Sequence, residues 1–136
     1  MPVHTQYSVQ IRDYNIGKNV TIVEPVNLYE CTIGDNTKIG PFVEIQQGVI
    51  IGNNCNIQSH SFICTKVSIG NNCFIGHGVM FINDLFKNGK PDPNSDNWKE
   101  TIITNNVTIG SGVTLLPIVI SATDVVIGAG SVVTKD

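Results

Sequence analysis

One spacing dominates this chain of 136 residues. Aliphatic or aromatic residues stand six apart at Ile33, Ile39, Ile45, Ile51, Ile57, Ile63, Ile69, Ile75 and Phe81. Four positions after each of the first eight comes a smaller or β-branched residue: Thr37, Val43, Val49, Cys55, Ser61, Val67, Cys73 and Val79. Glycine follows the leading residue at Gly34, Gly40, Gly52, Gly70 and Gly76. Upstream, Ile16, Ile22 and Leu28 keep the spacing, with a one-residue slip before Ile33. Downstream it restarts at Ile103, Ile109 and Leu115, misses at Ser121 and returns at Ile127 and Val133. Val107, Val113, Val119 and Val125 fill the companion position.

A helix needs a period near 3.6, and simple strand alternation gives no reason to prefer six over four or eight. Six residues fit a short strand plus a corner, with leading and companion residues inward and Gly or Asn where the chain turns. Three such sides close an 18-residue coil, and stacked coils form three parallel sheets spaced by about 4.8 Å. About six coils fit, a prism about 30 Å tall. The expected fold is therefore all-β, a parallel β-helix forming one domain over 1–136. Its parts are an N-terminal lead-in over 1–14 and a loop insertion over 83–102. Ile and Val dominate the apolar residues, as strands require.

The net charge of −3 argues against a nucleic-acid partner, which would need a basic stripe. No apolar run approaches the length of a membrane span, and no basic segment followed by an apolar one opens the chain. A cytoplasmic setting is expected on that ground. Cys31, Cys55, Cys64 and Cys73 lack CxxC spacing and read as reduced thiols. Cys55 and Cys73 are expected inward, and Cys64 outward. The glycines recur with the repeat and form no GxGxxG phosphate loop.

The repeat breaks between Phe81 and Ile103 into a Pro/Asn/Asp-rich stretch that cannot continue a sheet. Leu85, Phe86 and Trp98 give this loop, about 84–101, apolar anchors and suggest an ordered lid. His77 holds the third place of its hexad, and His60 the fourth place of the hexad one coil earlier. Asn83 and Asp84 stand where the chain leaves the coil. An amide or carboxylate there either starts a turn or grips a polar ligand. His77 and Asn83 lie on successive sides of one coil, up to about 20 Å apart, so one site uses both only across subunits. With His4, His60 and His77 the only histidines and no short ligand spacing, no metal is expected.

The segment Ile57-Gln-Ser-His60-Ser-Phe-Ile-Cys64, followed by Phe74-Ile-Gly-His77-Gly-Val-Met-Phe-Ile-Asn83-Asp84, resembles the hexapeptide-repeat acyltransferases. It is similar to the segment of enzymes that N-acetylate nucleotide-linked 3-amino sugars, those of the dTDP-3-amino-3,6-dideoxyhexose type and the related UDP-linked ones. The closing Val126-Ile-Gly-Ala-Gly-Ser-Val-Val-Thr-Lys135-Asp136 is common across that superfamily. The resemblance implies a left-handed helix, although parallel crossovers are in general right-handed. It also implies a homotrimer, with acetyl-CoA as co-substrate in clefts between prisms. The implied reaction is N-acetylation of a nucleotide-linked, dTDP-type amino sugar for bacterial surface polysaccharide. O-acetylation of a sugar or alcohol, or a non-catalytic scaffold, stand as alternatives. By the same resemblance His77 and Asn83 are the catalytic candidates, and Asn83, Asp84, His60 and Trp98 the substrate-binding ones. Ser111, Gly112, Ala129, Gly130 and Lys135 are the implied CoA contacts. Where family members carry Pro-Arg after Asn-Asp, this chain has Lys87-Asn-Gly-Lys-Pro91.

Overall fold

The computed structural model describes residues 3–8, 11–12 and 15–135. The described strands form three parallel sheets of seven, six and six strands, the faces of a three-sided prism. Face one starts at Ile11–Arg12 and runs through Asn27–Tyr29, Glu44–Ile45, Phe62–Ile63, Met80–Phe81 and Thr114–Leu115 to Val132–Val133. Face two runs from Asn15–Ile16 to Val119–Ile120, and face three from Thr21–Ile22 to Val126–Ile127. Six coils are complete and a seventh has its first side. This is the parallel β-helix the repeat leads one to expect, in the left-handed form the resemblance implies, with a protruding loop.

Alternation within each short strand builds the core. Cys55 and Ile57 point inward at 0% and 1% exposure, with Asn56 between them facing out. All nine leading residues from Ile33 to Phe81 and all eight companions are buried. The polar companions bond to neighbouring coils: Thr37 Oγ1 donates to the Gly52 carbonyl and Ser61 Oγ to that of Gly76, each at 2.8 Å. Buried hydroxyls are thus satisfied, as a dry interior requires.

The corner between faces two and three explains the Ile-Gly-Asx-Asn signature. Asn53 Oδ1 accepts the Asp35 N–H (2.7 Å), Asn71 Oδ1 that of Asn53 (2.8 Å) and Asn105 Oδ1 that of Asn71 (2.7 Å). Each side chain reaches back one coil to a backbone donor that the sheets leave unpaired. The preceding glycine lies under that amide. A Cβ on Gly52 would stand 2.4 Å from Asn71 Oδ1 and 2.7 Å from the Gly70 carbonyl carbon. The next residue, Asn36, Asn54, Asn72 or Asn106, turns the chain at φ of 58–59°, which Asn tolerates well.

Three sequence expectations are corrected. Ile11–Arg12 pairs with Leu28–Tyr29, so the first coil begins inside the expected 1–14 lead-in. Residues 1–2, 9–10 and 13–14 of that segment, and Asp136 at the other end, lie outside the described residues. The miss at Ser121 is a one-residue slip, since Ile120 pairs with Ile103 just as Ile33 pairs with Ile16. The slip turns Ile118 inward at 4% exposure and Val119 outward at 40%, so Val119 is not a core companion. Cys64 is buried at 2%, not outward, because it lies inside the corner that follows Ile63.

Gly52→Ala is expected to cost about 1–3 kcal/mol, the usual penalty of overpacking. Adding Asn71→Ala should not restore the melting temperature, because the clash with the Gly70 backbone persists. Thermal melts of the single and double variants followed by circular dichroism check this.

Candidate functional site

The corner between faces three and one carries His77. Its Nδ1 lies 2.9 Å from Ser59 Oγ, one coil below. Its N–H donates to Ser111 Oγ at 3.2 Å, and its carbonyl accepts the Gly112 N–H at 2.8 Å. Gly130 in turn donates to the Ser111 carbonyl at 2.9 Å. Ser111-Gly112 and Ala129-Gly130 therefore stack in register above His77-Gly78. Gly78, Gly112 and Gly130 have φ of 64°, 71° and 75°, and a Cβ on any of them would meet nothing within 4 Å. Glycine suits this turn through its backbone freedom, not through any crowding. The result is an exposed edge stripped of side chains, running upward from an exposed imidazole.

His60 lies on the same corner but aligns with Gly78 rather than with His77, and its ring stacks on Phe42 at 5.0 Å. Lys135 stands apart from this column. It borders a cavity of about 350 Å³ at the end of the prism, with Ile118, Ile120, Val125, Ile127 and Val133.

Asn83 occupies the corner between faces one and two, at the far end of the Met80–Phe81 side from His77. Its Nδ2 donates to the Thr65 carbonyl at 2.9 Å, which fixes the orientation of the amide. The protomer does not bring His77 and Asn83 together; a strand side of this length holds them on the order of 20 Å apart. Asp84 works inside the loop: Oδ1 accepts the Phe86 N–H (3.0 Å) and Oδ2 the Asp92 N–H (2.7 Å). Trp98 Nε1 donates to the Asp92 carbonyl (2.9 Å), and the Trp98 carbonyl accepts from Lys66 Nζ (3.0 Å). The loop follows a single turn of 3-10 helix, Ser95–Asn97, and returns to the prism at Thr101. Trp98 also lines a cavity of about 430 Å³ with Gly48, Lys66, Ser68, Lys99 and Glu100.

All four cysteines are buried free thiols. Cys55 Sγ donates to the Gly70 carbonyl and Cys73 Sγ to that of Thr104, each at 3.1 Å. Burial pushes the Cys64 thiol up to about 12, and contact with the Cys73 thiol together with burial raises that of Cys55. The buried, protonated thiols of Cys55 and Cys64 are therefore poor nucleophiles. Among the described residues, no group of three or more His, Cys, Asp or Glu side chains could hold a metal ion. Nor is any described helix long and apolar enough to cross a membrane.

Two residues near the site stand out only in three dimensions. Ser59 is a hydroxyl 18 positions before His77, hence one coil beneath it, and Phe42 is 18 positions before His60. The coil length was the available signal.

The repeat and its geometry recur in known proteins. A family profile described as bacterial transferase hexapeptide (six repeats) matches residues 30–65, and one described as the hexapeptide repeat of succinyl-transferase matches residues 66–80. The bifunctional protein GlmU of Thermodesulfovibrio yellowstonii is 33% identical over 132 residues, covering 88% of this chain and 29% of GlmU. The chain thus spans about three tenths of the length of the curated relatives it matches. Among solved structures, a variant of AntD, an N-acyltransferase from Bacillus cereus in complex with dTDP and coenzyme A, superposes with a TM-score of 0.74. It is 24% identical, over 92% of this chain and 75% of that one. A variant of perosamine N-acetyltransferase from Caulobacter crescentus, in complex with CoA and GDP-perosamine, gives 0.66 at 14% identity, over 85% of this chain and 50% of that one. The chain resembles the hexapeptide-repeat acyltransferases.

Asp84→Ala removes two carboxylate acceptors that hold backbone N–H groups of the loop. Limited trypsin digestion should then cut after Lys87 or Lys90 at least several-fold faster than in the wild type. The thermal midpoint should change little, because the loop adds no residue to the buried core.

Proposed function

We propose that this chain is an acetyl-CoA-dependent N-acetyltransferase whose acceptor is the amino group of a nucleotide-linked sugar. The observation that carries the reading is the His77 column: an exposed imidazole hydrogen-bonded through Nδ1 to Ser59, below a glycine edge free of side chains. The resemblance to AntD and to perosamine N-acetyltransferase supports the same reading. The edge at Gly112 and Gly130 suits close approach of a flexible arm carrying amide groups, and Ser111 and Ala129 flank it with small side chains.

When bound, acetyl-CoA supplies an activated thioester. The amine must attack its carbonyl carbon in the neutral form, so a proton has to leave the nitrogen as the C–N bond forms and the C–S bond breaks. His77 takes that proton. With Nδ1–H donated to Ser59 Oγ, Nε2 is left as the free acceptor, the tautomer a general base needs. Asn83, its Nδ2 tied to Thr65, has its amide oxygen available to accept from the sugar amine. Since one protomer holds these residues at opposite corners, the working site lies between two subunits of a homotrimer. Trp98 and the loop anchored by Asp84 close over the sugar. A dTDP-linked 3-amino-deoxy sugar is the acceptor to test first, and a hydroxyl acceptor is the alternative the same assay measures.

His77→Asn should lower kcat by about 10²–10⁴, the usual contribution of general-base catalysis. Ser59→Ala should lower it less, because the ring keeps its place but loses the hydroxyl that orients it. Thiol release from acetyl-CoA, followed with a panel of nucleotide-linked amino sugars, measures both. Wild-type kcat/KM in His77→Asn and Asn83→Ala alike would reject this site.

A shared site also predicts complementation. Unfolding and co-refolding equal amounts of His77→Asn and Asn83→Ala chains should regenerate about a quarter of wild-type activity, because random assortment leaves that share of interfaces with both native residues. Activity no higher than either parent would place the two residues in separate sites.

A further inference from the structure

The corner that carries His77 changes character along the prism. In three of its coils the turning residue is Gly78, Gly112 or Gly130. One and two coils below Gly78 the same place holds His60 at φ 65° and Phe42 at φ 62°. A bulky residue is disfavoured in this backbone region, and glycine serves the same turn in three other coils. Neither ring is there for the core, since Phe42 is 57% exposed and His60 is exposed. The two rings support each other instead, with centroids 5.0 Å apart and planes 29° from parallel.

Away from His60, Phe42 walls a cavity of about 290 Å³ with Pro25, Val26, Asn27, Val43 and Glu44. Its polar groups are already oriented. Asn27 Nδ2 donates to Glu44 Oε1 (3.3 Å), Gln46 Nε2 to Glu44 Oε2 (3.0 Å), and Arg12 Nη1 to Asn27 Oδ1 (3.2 Å). Each carboxylate oxygen keeps a further lone pair for a ligand N–H. An aromatic face beside fixed hydrogen-bonding groups is how proteins hold a heteroaromatic base: stacking on the ring, reading along the edge. The position also fits. Phe42 lies two coils from the level of His77, about 10 Å at the usual strand spacing, which a sugar and a diphosphate can bridge.

We propose that the cavity between Pro25 and Phe42 is the subsite for the nucleobase of the acceptor. Phe42 is the stacking platform, His60 holds its ring, and Glu44 accepts from the base edge. The proposal rests on the nucleotide-sugar reading above. Adenine of CoA shares this chemistry, but the CoA arm is assigned to the coils on the other side of His77, so the acceptor's base is the occupant.

The test is calorimetric titration of dTDP, UDP, GDP, CoA and pyrophosphate into wild type, Phe42→Gly and Phe42→Tyr. Glycine already turns this corner in other coils, so Phe42→Gly should fold, which a circular-dichroism melt checks. The proposal expects at least one nucleoside diphosphate to bind the wild type, about tenfold or more weakly to Phe42→Gly, and again tightly to Phe42→Tyr. CoA and pyrophosphate affinities should not change. Equal nucleotide affinity in wild type and Phe42→Gly, a loss of CoA affinity in step with the nucleotide, or no nucleotide binding by the wild type would each overturn it. With CoA still bound by the wild type, those outcomes leave the acyltransferase reading standing. Failure of the wild type to bind CoA would reject that reading itself.

Discussion

Everything in this molecule depends on the vertical fit of one coil on the next. Parallel strands stack at about 4.8 Å, which leaves little room at a corner for both a side chain and the backbone above it. At the corner between faces two and three the conflict is resolved by pairing residues. An Asn or Asp oxygen takes the N–H of the coil below, and a glycine beneath gives it space. Thr104 marks where the ladder stops: its hydroxyl bonds to the Ile120 and Ala122 carbonyls, and no glycine is required. Inside, the matching solution is a thin core of Ile and Val, with small polar residues bonding across coils.

The same stacking makes the candidate site. A side chain at one corner meets, one coil away, the residue 18 positions earlier in the chain. His77 thereby gains Ser59 below and Ser111 above without any dedicated loop. Glycines at the neighbouring position clear the edge, while His60 and Phe42 furnish it lower down with an aromatic stack. One line along the prism thus offers, in order, a bare edge, an imidazole and a ring platform. Asn83 stands at a different corner, and Asp84 spends both oxygens on the loop. The prism supplies rigid columns, and the loop from Asp84 to Glu100 departs from them.

The fold was legible because each hexad states its own inward residues, and Ile33 through Phe81 are buried as the spacing dictates. The misread core positions have two causes. Where a side shortens by a residue, a fixed six-residue frame assigns the wrong parity, which put Val119 inside in place of Ile118. Cys64 was misplaced because the first residue after a strand can still face the interior at a corner. Of the site, the column of Ser111, Gly112, Ala129 and Gly130 followed from the resemblance and stacks over His77. Ser59 and Phe42 were hidden because their partners are a full coil away, where no local motif points. The internal bonds of Asp84 were equally hidden, since an Asx turn and a ligand contact look alike in sequence.

The most direct measurement is a crystal structure of the protein with coenzyme A bound. The account predicts the pantetheine arm lying along Gly130 and Gly112, with its sulfur against the His77 corner and Asn83 of a neighbouring subunit facing the same space. Coenzyme A seated on the loop cavities or on the end of the prism beside Lys135, with its sulfur remote from His77, would contradict it.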